Sequence, residues 1–180
     1  MYFDILAEVQ AFLASKLGDI EAFYLTKGGW EGWAQCELTR YLYNRLGNNN
    51  INLFRESNNP FQFSPAPGQR SDFYIQFLNN APYVPVTIEL KCESIFQEAS
   101  NATSLSTRMY ADMIKLSQVN PHISQPQDMY ALGITCSQEA AAKVVQDMPQ
   151  GEVAAVYSVL LPLGGVLTLF ASVFRKPLLQ

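Results

Sequence analysis

Between Val153 and Phe174 the chain runs for 22 residues without a charge. That length would carry a helix across a bilayer, but Pro162, Gly164 and Gly165 interrupt it at the centre. They leave two arms, VAAVYSVLL and VLTLFASVF, each of strand length, about a PLGG turn. The segment therefore reads as a β-hairpin buried within the fold, with no membrane contact. Alternation places Val153, Ala155, Tyr157, Val159 and Leu161 on one side of the first arm, and Ala154, Val156, Ser158 and Leu160 on the other. A strand apolar on both sides needs cover on both. The first helix of the chain is expected to cover one side. A second copy is expected to cover the other, in a two-fold homodimer.

A chain of 180 residues suits one domain, 1–180, with a substantial core. A composition 48% apolar and 12% aromatic excludes intrinsic disorder. Twelve basic residues against 16 acidic give a net charge of −4, so overall charge does not point to a polyanionic partner. Cys36, Cys92 and Cys136 are widely spaced with no CxxC pair, as buried apolar side chains in a reducing compartment would be. The start, MYFDILAEVQ, has an early acid and no basic run, unlike a secretory signal. The expected compartment is the cytoplasm.

Tyr2, Ile5, Leu6, Val9, Phe12 and Leu13 recur at helical spacing over residues 2–17. A loop through Thr26-Lys27-Gly28-Gly29 precedes a second helix over 30–46, stopped by Gly47. Residues 51–55 read as a short strand and 57–68 as a proline-rich loop. Residues 72–78 and 84–93 are strands about the connection NNAPY. A helix over 104–118 follows, then an apolar strand over 129–135, then a helix through QEAAAKVVQDM capped by Ser137. With the hairpin, the order is ααβββαβαββ. It describes an α/β domain with a single mixed central sheet flanked by helices.

The strand VPVTIELKCES divides its residues by face. Val84, Val86, Ile88, Leu90 and Cys92 share an apolar face, and Pro85, Thr87, Glu89, Lys91 and Glu93 share the other. On a half-solvated strand Glu89 and Lys91 would be no more than an exposed ion pair. The preceding strand, SDFYIQFL, adds a constraint. With a hairpin turning about Asn80 and Ala81, Tyr74 faces Thr87 and Asp72 faces Glu89. Facing carboxylates repel, and a divalent cation removes the conflict: Mg²⁺ is held through one or two carboxylates with water and phosphate. Glu37 is a third acid, set among Trp30, Trp33, Ala34 and Tyr41 on the second helix. A carboxylate there needs a partner, either an arginine (Arg40 or Arg45) or the metal site. His122, the one histidine, stands beside Pro121 in a loop; alone it cannot build a zinc site, and it is not favoured as a base. No Walker loop or dinucleotide fingerprint occurs.

Asp72, sixteen residues, then Glu89-Leu90-Lys91 resembles the D…ExK signature of the PD-(D/E)XK nuclease superfamily, with Ser71 where the name-giving proline would stand. Glu37 resembles that superfamily's additional acid on an upstream helix. Asp112-Met113-Ile114-Lys115-Leu116 is similar to a D-apolar-x-K-L stretch of bacterial members, and YALGIT to the next core strand. The α-β-β-β-α-β order over 30–135 matches the superfamily core, with the helix and hairpin of 137–174 added to it. The resemblance implies a restriction-endonuclease-like fold and a divalent-metal-dependent nuclease. In that scheme Asp72, Glu89 and the Leu90 carbonyl hold Mg²⁺ or Mn²⁺, and Glu37 supports metal binding. Lys91 positions or deprotonates the attacking water. The implied substrate is nucleic acid, DNA before RNA. Between Arg40 and Lys115 seven basic residues stand against six acids, so a locally positive active face is compatible with the overall charge. The alternative is a catalytically silent binding module on the same fold.

Overall fold

The helix expected over residues 2–17 is shorter, and a second helix that the sequence did not announce follows it. α1 (Ile5–Ala14) buries Ile5, Val9, Phe12 and Leu13, and Asp4 caps it by accepting from the Ala7 amide at 3.1 Å. At Ser15 the hydroxyl and the backbone amide both donate to the Phe12 carbonyl, at 2.7 and 3.1 Å, as the helix ends. The chain restarts as α2 (Leu17–Tyr24), so the order is αααβββαβαββ, one helix more than expected. α3 (Glu31–Leu46) ends at Gly47, whose φ of +84° suits glycine. The structure, a computed structural model, describes residues 3–26, 29–61, 68–79, 81–95, 104–119 and 127–176. Tyr2, Lys27, Gly28, Asn80, His122 and residues 62–67 of the 57–68 loop lie outside the described residues.

Six strands follow: β1 (Ile51–Ser57), β2 (Ser71–Phe77), β3 (Val86–Cys92), β4 (Gln127–Thr135), β5 (Ala154–Leu160) and β6 (Val166–Lys176). α4 (Leu105–Ser117) lies between β3 and β4, and α5 (Gln138–Asp147) between β4 and β5. They form one mixed sheet ordered β1-β2-β3-β4-β6-β5. β3 and β4 run parallel, across the α4 crossover, and the other neighbours run antiparallel.

Alternation in β3 sets the layers. Val86, Ile88, Leu90 and Cys92 pack with Phe12 of α1 and Ala34 and Leu38 of α3 in one core. On the other face Met109 and Met113 of α4 and Val144 of α5 pack with Met129, Ala131 and Phe170. Helices therefore cover both faces of the central strands. Gly133, paired with Lys91 across β3 and β4, lets α4 approach closely. A Cβ there would lie 2.7 Å from the Met109 sulfur.

The C-terminal hairpin forms where expected, but only one arm is buried. β6 sits between β4 and β5, with residues 167–172 buried. β5 is a sheet edge, and Ala154, Ala155, Ser158 and Leu160 are exposed, Leu160 to 71%. The arm lacks cover because it has a single strand neighbour, which its own apolar pattern does not reveal. A bulge between Ala155 and Tyr157 also breaks the alternation, so Tyr157 shares a side with Ala154 instead. α1 supplies cover on one side as expected, and its Gln10 amide donates to the Val156 carbonyl at 3.3 Å. The turn is tied to α2 by Glu21, whose carboxylate oxygens accept from the Leu163 amide at 2.9 and 3.0 Å. Among the described residues no helix is long and apolar enough to cross a membrane.

Candidate active site

β2 and β3 pair in the expected register, Phe73 with Ile88, Tyr74 with Thr87 and Ile75 with Val86. The ladder ends at Phe73. One residue beyond, the Asp72 side chain replaces the missing strand partner: its Oδ2 accepts from the Leu90 amide at 2.7 Å. β3 itself continues alongside β4 to Cys92. The cluster therefore forms where β2 parts from β3, a gap in which the groups at Asp72, Leu90 and Lys91 meet.

Lys91 is its centre. Its Nζ lies 3.3 Å from Asp72 Oδ2, 3.3 Å from Asp112 Oδ2 and 3.5 Å from Glu31 Oε1, and it donates to the Leu90 carbonyl at 3.2 Å. Burial alone would lower its pKa. Asp112, Asp72, Glu31 and Glu89 outweigh that, and the net shift is upward, so the ammonium stays charged.

Glu89 does not sit on a half-solvated face, because α4 covers it and leaves it 1% exposed. Burial first, then the charges of Asp112 and Asp72, push its pKa up to about 8 against the pull of Lys115. Lys115 Nζ stands 2.7 Å from Glu89 Oε1 without the alignment of a hydrogen bond. Asp112 is likewise shifted upward, by burial first, with Lys91 and Lys115 opposing. Glu93, one residue past the end of β3, is fully partnered. It accepts from the Tyr24 hydroxyl at 2.9 Å, the Cys136 and Ser137 amides at 2.7 and 3.0 Å, and the Ser137 hydroxyl at 2.7 Å.

Asp72, Glu89, Leu90 and Lys91 are thus brought together, and Glu37 is not. Glu37 pairs with Arg40 at 2.7 Å and Lys16 at 3.0 Å, the arginine alternative rather than the metal one. Glu31 takes the place expected of it, six residues earlier on α3. Its Oε2 accepts from the Cys92 amide at 3.1 Å and pairs with Arg108 Nη1 at 3.0 Å. Six residues turn a helix by about 240° and advance about 9 Å, so the two acids cannot serve one site. Sequence reasoning also gave Asp112 and Lys115 no role. A usable signal existed: Asp112 interrupts the apolar stripe of Leu105, Met109, Met113 and Leu116.

The donor set suits a small hard cation. Glu89 Oε1 and Asp112 Oδ2 are buried oxygens without a hydrogen-bond partner among the described residues, each facing an ammonium instead. Asp72 and Glu89 with the Leu90 carbonyl match the one or two carboxylates that Mg²⁺ takes beside water and phosphate. Among the described residues no group of three or more acidic, histidine or cysteine side chains is spaced to hold a metal ion. No protein-family model, curated protein or solved structure matches this chain.

Proposed function

We propose that this chain is a divalent-metal-dependent nuclease with a restriction-endonuclease-like fold, acting on the phosphodiester bonds of nucleic acid, DNA before RNA. The observation that carries the reading is the convergence of Asp72, Glu89 and Lys91 where β2 parts from β3. Asp72, Glu89 and the Leu90 carbonyl would hold Mg²⁺ or Mn²⁺, with Glu31 rather than Glu37 as the supporting helical acid. A cation so held would polarise a phosphoryl oxygen and acidify a bound water. Lys91, kept charged by its carboxylate neighbours, donates to the phosphate and offsets the charge that grows there. Arg108, which also donates to the Cys92 carbonyl at 2.7 Å, holds Glu31 in place from α4.

The test is incubation with plasmid, single-stranded DNA and RNA in Mg²⁺, Mn²⁺ or EDTA. Cutting should require the metal, and Lys91→Ala should lower it by at least about 100-fold. Binding without cutting would favour the second reading, a catalytically silent binding module. The observation behind that alternative is the mutual neutralisation of the cluster, Lys91 against Asp72 and Asp112, and Lys115 against Glu89. For the assembly we infer a homodimer across β5, supported by the exposure of Leu160 and Leu163 at that edge, 71% and 80%.

A further inference from the structure

We propose that Asp112 is a positioning residue that keeps the Lys91 ammonium in the site when a divalent cation takes Asp72. This rests on the metal-dependent reading above and adds a residue that reading does not use.

Lys91 Nζ stands equally far from Asp72 Oδ2 and Asp112 Oδ2, at 3.3 Å. The two acids come from different layers, Asp72 from β2 and Asp112 from α4. A cation on Asp72 has the sign of the ammonium and would compete with it for one carboxylate's charge, whose Oδ2 is already shared by Lys91 and the Leu90 amide. Lys91 must then rely on its other partners. Glu31, at 3.5 Å, is engaged by Arg108 and the Cys92 amide. The Leu90 carbonyl is uncharged and is itself a candidate ligand. Asp112 keeps a buried carboxylate oxygen, without a hydrogen bond among the described residues, facing Lys91. It is carried by a helix, so it holds its place while the β2 side of the cluster rearranges.

Lysine-selective proton–nitrogen correlation spectra of the full chain, recorded with and without Mg²⁺, test this directly. In the wild-type chain the Lys91 ammonium protons should exchange slowly in both conditions. In Asp112→Asn they should exchange slowly without Mg²⁺, where Asp72 still holds Lys91, and rapidly with it. Asp112→Glu should restore slow exchange. In parallel, Asp112→Asn should lower kcat by about 10- to 100-fold with KM little changed, and Asp112→Glu should recover most of the loss. Slow exchange in Asp112→Asn at saturating Mg²⁺ overturns the proposal. Should Asp112→Asn not fold, the wild-type chain decides alone. The cross-relaxation between Lys91 Hε and Asp112 Hβ should persist at saturating Mg²⁺, and its loss overturns the proposal. Wild-type chemical shifts of Lys91 and Asp72 that do not move with Mg²⁺ are a different failure: they remove the metal reading, and this inference with it.

Discussion

Glu89 lies on β3 and Glu93 one residue past its end, and their surroundings give them opposite tasks. Glu93 accepts four hydrogen bonds from α2 and the start of α5 and is thereby a structural anchor. Glu89 has a lysine ammonium without a directed hydrogen bond and two acids nearby, which leaves its charge poorly compensated. Its pKa of about 8 in the folded chain lies above the ordinary 4.5. Between those values the folded chain keeps a proton that the unfolded chain has released. Stability without metal therefore falls as pH rises through this window and levels off above it. Thermal melts between pH 5 and 9 should show that decline, and Glu89→Gln, which has no proton to lose, should flatten it.

At the scale of elements, α4 and the end of β3 define the site together. α4 reaches the sheet because Gly133 leaves room for Met109, and that approach delivers Asp112 and Lys115 to Lys91 and Glu89. The end of β3 is fixed from the other direction by Glu93, which ties it to the Ser137 cap of α5. Ser137 both donates to Glu93 and accepts from the Ala140 amide at 3.1 Å, so one contact serves two elements. Glu93→Ala strands two buried amide donors and the Tyr24 hydroxyl. It should cost about 3 kcal/mol in urea unfolding, with β3 and α5 losing amide-exchange protection together. A cost below about 1 kcal/mol would show that water replaces the carboxylate there.

For the whole molecule, two outcomes follow from clustered charge and an open sheet edge. Carboxylates gathered by folding bind a cation only in the folded state, so Mg²⁺ or Mn²⁺ at about 100 times its Kd should stabilise the chain by about 2.7 kcal/mol. For a chain of this length that is a rise in Tm of about 5–10 °C. Asp72→Asn should abolish the increment; an increment that survives it places the ion elsewhere. Sedimentation should give twice the chain mass, and Leu160→Asp with Leu163→Asp should return the monomer. The outer arm of the hairpin ends the sheet, and its bulge limits strand addition there, so side chains rather than a continued ladder must supply that contact.

The division between what was legible and what was not follows the range of the interactions. Strand and helix positions, the Ser137 cap and the stop at Gly47 are local, and the residues themselves announce them. The β2–β3 register joins neighbours in sequence, and a slip of one residue would turn apolar side chains to the wrong face. Asp72, Glu89 and Lys91 could therefore be brought together from the sequence alone. Which acids join them could not. A helix's periodicity says which residues share a side, but its rotation and height over the sheet come from packing against other layers. That packing selected Glu31 over Glu37 and set Asp112 and Lys115 above β3. The same holds for the hairpin. Its apolar pattern established two strands and a turn, whereas sheet order made one arm central and the other an edge. Neighbours distant in sequence decide that, and no property of the nine residues in the exposed arm records it.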